Sequence, residues 1–419
     1  MNQHSGEIRI PDLANPQLTP GQRAAIAYGE TQRPSLREAE VLEAAQKQSG
    51  LSDFGAEDFR PRLRAWLQAA RGDSELNALN RMLLHEDCVR ILVNRLRLED
   101  LLRRHPEILE IPISRPIIIA GLPRSGTTHL VGLLGADTRL RSLPYWESRE
   151  PIPARGEGPG RDGLDPRWLR CQQSYEAQLE QMPLLRAMHD MPPEHIHEEI
   201  ELLNLDFWSY HLEWLACVPG WRDFYLAQDP LPRYAYLKKA LQALQWLRGG
   251  ERWVLKTPQH LEWLPALHAT FPDATIAITH RDPVSVIQSA ITMLAYSDRS
   301  RRQRVDLAGL AEYWSDRVER LLRACVRDRE ALPAAQSLDV LFHEFMADDL
   351  AMVERIYERA ELSLPPETRA EIAQALDENP RGRHGRIRYD LRGDFGIEPG
   401  ALRERFAFYF ERFPVRAED

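Results

Sequence analysis

The stretch Pro116-Ile-Ile-Ile-Ala120-Gly121-Leu-Pro-Arg124-Ser-Gly126-Thr-Thr128 decides the fold. Its first residues are apolar and mostly β-branched, the pattern of a parallel strand buried on both faces. A turn with two glycines follows, and residues 127–135 then read as a helix. A strand that passes through such a turn into a helix turns backbone N–H groups and the positive end of a helix dipole toward one point, where phosphate oxygens can sit. The G-x-x-x-x-G spacing is that of a phosphate-binding loop. Thr127 stands where a nucleoside-triphosphate loop has lysine, and the loop's cation is Arg124 instead.

Outward from this segment, strand patterns at 253–255, 275–279 and 337–342 alternate with helical patterns at 261–270, 283–296, 307–330, 346–361 and 366–376. The alternation predicts an α/β fold: a P-loop-type doubly wound parallel sheet flanked by helices. Residues 166–188 and 194–216 also read as helices, 379–400 as a loop and 402–413 as a closing helix. On the N-terminal side, 1–34 is polar and proline-punctuated and reads as an irregular arm. Ser35-Leu-Arg-Glu38 has capping-box spacing and opens an α-helical layer over 35–110. The α/β unit then occupies 111–419.

A second anion site is expected where the 275–279 strand ends. In Thr279-His-Arg281-Asp-Pro-Val-Ser-Val-Ile-Gln-Ser289, Arg281 leaves the strand and Ser289 lies two helical turns on. A guanidinium offers fork-shaped donors to a phosphate and a hydroxyl adds one more.

Pro123-Arg-Ser-Gly-Thr-Thr128 resembles the 5′-phosphosulfate loop of sulfotransferases that use 3′-phosphoadenosine 5′-phosphosulfate (PAPS), and the Arg281–Ser289 segment resembles their 3′-phosphate motif. Arginine at 124, where cytosolic members carry lysine, is similar to the tyrosylprotein and bacterial branches. Gly50-Leu-Ser-Asp-Phe-Gly55 resembles a stretch in the helical N-terminal portion of bacterial members. The likeness implies PAPS as co-substrate, no metal, and cofactor contacts from Arg124, Ser125, Gly126, Thr127, Thr128, Arg281 and Ser289. Pro380-Arg-Gly-Arg-His-Gly-Arg386 resembles the loop that closes over the cofactor, with Arg383 and His384 as contacts.

Sulfuryl transfer needs an in-line acceptor and a cation beside the leaving phosphate oxygen. Arg124 is one expected cation. Lys256, in Leu255-Lys-Thr-Pro258 at a strand end, is the other. For the general base, Leu143-Pro-Tyr-Trp-Glu147 resembles the segment that presents a catalytic glutamate in related enzymes, which makes Glu147 the first choice. His197 is the rival, since imidazole titrates near neutrality. His195-x-His197 is not read as a metal pair, because residues two apart on a helix diverge. Phe207, Trp208, Trp214, Trp221 and Phe224 suggest a hydrophobic or aromatic small-molecule acceptor, although helical spacing sends most such residues to the core.

Composition narrows the classes further. The 419 residues carry a formal charge of −9 and 43% hydrophobic residues. An acidic chain disfavours nucleic-acid binding. The sequence has no run of about 18 apolar residues, so no membrane span is expected, and the start has no secretory pattern. Four scattered cysteines suit a reducing cytoplasm. A nucleotide kinase would want lysine at 127 and an acidic magnesium ligand. A non-catalytic PAPS-binding module is the other alternative, and the oligomeric state is left open.

Overall fold

The computed structural model describes residues 6–161, 163–380 and 382–418. Residues 1–5 of the expected arm, and Arg381 in the expected closing loop, lie outside the described residues.

The N-terminal part is helical: α1 (Pro20–Gln32), α2 (Glu38–Ser49), α3 (Arg60–Gly72) and the long α4 (Ala78–Arg104). The helix α1 corrects the reading of 1–34 as irregular. Thr19 caps it through Gln22 in a complete capping box, and Pro20 fills the first helical position, where its missing N–H costs nothing. Ser35 is not a cap: α2 begins at Glu38 after Arg37, with no side-chain cap. Arg62 and Arg95 anchor this layer by donating to buried Asp206 Oδ1, over 2.6 and 3.1 Å.

Next come β1 (Ile117–Gly121), α5 (Thr127–Leu134), α6 (Tyr145–Arg149), α7 (Pro230–Arg248), β2 (Val254–Lys256), β3 (Thr275–His280), α8 (Pro283–Asp298), α9 (Leu307–Asp328) and β4 (Ser337–Leu341). The four strands form one parallel sheet in the order β2-β1-β3-β4. Side chains alternate across it. Ile118, Ala120, Leu255 and Ile278 pack into the larger core with the N-terminal helices, and Ile117, Ile119, Val254 and Val340 into a second core on the opposite face. Both faces are covered, as a parallel sheet requires.

One helical and one loop reading change. Residues 194–216 break into short pieces, Ile200–Leu203, Asn204–Asp206 and Tyr210–Trp214, with Phe207 at φ 48° between the last two. The segment 379–400 holds Leu391–Phe395 as a helix, and Arg386–Ile387 pairs in parallel with Glu7–Ile8.

The connection after β1 leads to β2 on one side, and the connection after β3 leads to β4 on the other. The chain therefore reverses direction between β1 and β3, and a crevice opens beyond their C-terminal ends. Among the described residues no helix is long and apolar enough to cross a membrane.

Candidate active site

Two turns meet at this crevice. Gly121 lies opposite Thr279 in the β1–β3 ladder, and a Cβ on it would stand 1.8 Å from Thr279 Oγ1. The strand end has room only for glycine. Gly126, at φ 85°, caps α5 in a left-handed conformation, so the loop turns sharply into the helix.

Three hydrogen bonds bind one turn to the other. Ser125 Oγ donates to Leu122 O and stands 2.7 Å from Thr279 Oγ1. Arg281 Nη1 donates to Arg124 O over 2.6 Å. Arg124 Nε donates to Ser289 Oγ over 3.0 Å. Arg124 is itself left-handed, at φ 67°, a conformation that costs a non-glycine residue about 1–2 kcal/mol. The Arg281 bond to its carbonyl offsets part of that cost.

A hollow of about 800 Å³ lies over this pair of turns. Its wall includes Arg124, Gly126, Thr127, Thr128 and Arg281, and Arg383 and His384 come to it from the far side. Arg383 Nη2 donates to Asp190 Oδ2 over 3.1 Å, and His384 Nε2 lies 3.0 Å from the same oxygen. These contacts draw the 382–385 segment across the hollow. Burial raises the Asp190 pKa, but hydrogen bonds from Tyr175 and Arg383 outweigh it and leave the carboxyl below its ordinary value. Arg281 Nε and Nη2 hold the Glu418 carboxylate, and the guanidinium lies 4.0 Å from the Phe342 ring centre. Ser289 stands behind Arg124 and donates to Tyr389 OH.

A second hollow of about 180 Å³ adjoins the first and shares Arg124, Thr127, Thr128 and His189 with it. Tyr145, Met191, His197, Glu198, Ile200 and Trp214 line its inner part. Burial holds the His189 and His197 imidazoles well below their ordinary pKa. Burial, helped by the Lys256 ammonium, also holds His195 down to about 3. All three are neutral at pH 7. His197 Nδ1 is buried without a hydrogen-bond partner.

Glu147 does not reach either hollow. It sits fully buried on α6 with Oε2 accepting from Arg141 Nη2 over 2.6 Å and 3.1 Å from Arg248 Nη1. Those guanidiniums lie over Trp253 and Trp146. The carboxylate read as a base is thus enclosed by two guanidiniums and lines neither hollow. Lys256 is the last residue of β2, and it is fully buried. Its Nζ donates to Glu198 Oε1 and, over 3.4 Å, to Thr128 Oγ1. It therefore stands one side chain behind the crevice wall. Of the five aromatics, Trp214 lines the smaller hollow; Phe207, Trp208 and Trp221 are fully buried and Phe224 packs against the core.

Sequence reasoning passed over Glu198, Asp190 and Glu418. Glu198 directly follows His197, and its place beside a phosphate loop far away in sequence has no local signature. Among the described residues no cluster of three or more His, Cys, Asp or Glu is placed to hold a metal ion.

The sequence pattern of the sulfotransferase family matches residues 116–366, which contain both turns. A search of curated proteins found no match. Among solved structures, sulfotransferase STF1 from Mycobacterium tuberculosis is 30% identical, with 89% of this chain and 98% of that chain covered and a TM-score of 0.78. Sulfotransferase STF9 from Mycobacterium avium is 26% identical, with 92% and 99% covered and a TM-score of 0.81. A family match over more than half of the chain, joined to 30% identity across nearly all of it, gives the conclusion that this chain belongs to the sulfotransferase family and that its chemistry is sulfuryl transfer.

Proposed function

We propose that PAPS is the donor and that it occupies the larger hollow. Its 5′-phosphosulfate lies against residues 121–128, and its 3′-phosphate is held by Arg281, while Ser289 braces Arg124 from behind. The observation that carries this reading is the direct bonding of Arg281 to Arg124, which puts two cationic turns on one hollow of about 800 Å³. A phosphate at each end is what distinguishes PAPS from ATP. Arg383 and His384 close the far side. Gly126, Thr127 and Thr128 supply backbone N–H groups and hydroxyls at the start of α5, where the dipole favours negative charge.

Arg124 borders both hollows and supports the leaving phosphate oxygen as it gains charge. The acceptor, a hydroxyl or amine on a small molecule, enters by the smaller hollow. At about 180 Å³ with Tyr145, Trp214 and Met191 in its wall, this space suits one ring-sized apolar group. An apolar cavity near 150 Å³ admits benzene. His197, neutral, stands in the wall of this hollow beside the acceptor group. The sulfuryl group then moves in line, from the phosphate oxygen to the acceptor. The chain works in the cytoplasm; its four cysteines are unpaired, as a reducing compartment allows.

The test is thermal denaturation with 3′,5′-adenosine bisphosphate, ATP and adenosine 5′-phosphate, followed by measurement of bisphosphate release from PAPS. A shift specific to the bisphosphate, together with acceptor-dependent release, is expected. Equal shifts with ATP would overturn the donor assignment.

A further inference from the structure

The smaller hollow has a polar inner end that the transfer itself does not use. Arg124, Thr127, Thr128 and His189 are common to both hollows, so the acceptor's reacting group belongs beside them. Glu201, Tyr210, His211 and Trp214 line the smaller hollow and not the larger, and the rest of the acceptor molecule rests against them.

A chain of charge orders the polar atoms at this end. Arg90 Nη2 donates to Glu201 Oε2 over 3.2 Å, and Arg149 Nη1 donates to Glu201 Oε1 over 3.4 Å. Burial raises the Glu201 pKa, but charged neighbours, Arg90 first among them, outweigh it and hold the carboxyl far below the ordinary range. An ionised carboxylate can only accept, so the Asn204 amide turns its nitrogen toward it, and Nδ2 donates to Glu201 Oε2 over 3.0 Å. The same amide nitrogen lies 3.0 Å from His211 Nδ1. Burial keeps the His211 imidazole below its ordinary pKa although Glu201 and Asp87 pull the other way, so the ring is neutral at pH 7. An amide nitrogen donates and does not accept. His211 Nδ1 is therefore the accepting nitrogen, and the ring proton sits on Nε2.

Glu201 and Asn204 thus fix one tautomer. Its Nε2–H has no hydrogen-bond partner among the described residues, in a hollow otherwise walled by Met191, Ile200, Trp214 and Met293. The carboxylates of the same wall are matched, Glu198 by Lys256 and Glu201 by its two guanidiniums. What His211 adds to this end is a neutral donor rather than a charge, and a donor shut away from water costs free energy until something accepts from it.

We propose that His211 is a specificity-determining residue: its Nε2–H donates to a neutral hydrogen-bond-accepting oxygen, a carbonyl or an ether, carried by the acceptor molecule away from the group that is sulfated. The proposal rests on the sulfuryl-transfer reading above and narrows its acceptor class. A plain hydrocarbon ring fits the space but leaves the N–H unanswered. A carbonyl oxygen completes the chain that runs from Arg90 through Glu201 and Asn204. A group that can only donate, such as an ammonium, meets the wrong edge of the imidazole.

4-Hydroxyacetophenone and 4-ethylphenol test this, because they have nearly the same shape and differ by a carbonyl oxygen away from the phenol. Titrating each into enzyme saturated with 3′,5′-adenosine bisphosphate measures affinity with no transfer. Wild-type enzyme should bind the ketone roughly three- to tenfold more tightly, the size of one neutral hydrogen bond. The two phenols also differ in acidity, so variants carry the assignment to His211. His211→Phe and His211→Leu lack the donor and should bring the two affinities within about twofold of each other. His211→Gln can turn its oxygen to Asn204 and its N–H to the hollow, and should keep part of the preference. A retained thermal shift with the bisphosphate shows that each variant is folded.

A ketone preference that survives in either donor-free variant overturns the proposal, because acidity or shape then explains it. Wild-type enzyme that binds the bisphosphate but neither phenol overturns the acceptor assignment above and this one with it. Wild-type enzyme that binds both phenols equally well overturns this one alone.

Discussion

Arg281 holds the carboxylate of Glu418 through two hydrogen bonds of 2.7 Å, in the fork-to-fork geometry that a phosphate would otherwise use. Glu418 N donates to Asp282 Oδ2 over 2.8 Å, and Arg403 donates to Glu418 O over 2.9 Å. The tail is therefore seated at the proposed 3′-phosphate site by three residues. A carboxylate already there must leave before a phosphate enters. Glu418→Gln should tighten 3′,5′-adenosine bisphosphate roughly 1.5- to 5-fold, as expected when one partly exposed ion pair is relieved. Adenosine 5′-phosphate should gain nothing. Calorimetric titration of both ligands checks the difference.

Arg124→Ala removes the guanidinium shared by both hollows. We expect turnover to fall on the order of ten- to a thousandfold, with a smaller loss of PAPS affinity, because charge grows on the leaving oxygen only in the transition state. Single-turnover rates beside equilibrium titration give the two numbers. Equal losses in both would mean that Arg124 only binds.

Gly121→Ala drives a methyl group into Thr279 Oγ1 at 1.8 Å. Neither strand can yield without breaking the β1–β3 ladder, so a loss of about 3 kcal/mol or more is expected. Gly121→Ala/Thr279→Ala removes the colliding oxygen and should recover part of it. Denaturant unfolding of the wild type, Gly121→Ala, Thr279→Ala and the double variant measures the coupling.

Glu147→Gln should act on stability rather than chemistry. Cutting one partner from a buried ion pair costs about 3–5 kcal/mol, and here two guanidiniums lose their anion. The surviving folded fraction should keep its turnover per site within about threefold. A loss of turnover with unchanged stability would return Glu147 to a catalytic role.

His195 bears on acid stability. Its folded pKa is lowered to about 3, against an ordinary value of about 6.5 in the unfolded chain. Between those values the unfolded state binds more protons. Its contribution is therefore intact above about pH 6.5 and is lost as pH falls toward 3, by up to about 1.4 kcal/mol per pH unit. His189 and His197 act in the same direction. His195→Gln should flatten the decline in melting temperature between pH 7 and 5.

The sheet and both turns were legible in the sequence because their signals are local. A strand buried on both faces is written as an apolar run, and a left-handed cap is written as glycine. The signals that failed were of other kinds. In Thr19-Pro-Gly-Gln22 the proline that seemed to break structure instead begins α1. Helix α7 drew no notice, and the 194–216 stretch looked continuous although its chain turns left-handed at Phe207.

The roles of charged residues were the least legible. Glu147 and Glu198 are both glutamates beside an aromatic or imidazole neighbour. What separates them is that Arg141 and Arg248 surround one, while Lys256 and an open hollow face the other. Those partners lie up to about a hundred residues away and converge only through the sheet. Glu418 has no signature at all, because its partner is 137 positions distant.

The short ladder between Glu7–Ile8 and Arg386–Ile387 makes the cover of the larger hollow a two-part object. Arg388 N donates to Ile8 O over 2.8 Å, and Ile10 and Leu13 are rooted beside Met182, Met188 and Tyr296. The 382–385 strap cannot lift to release the nucleotide proposed to lie beneath it unless this ladder unzips or residues 7–13 ride along with it. A probe fixed near Glu7 would thus report exchange at a site it never touches.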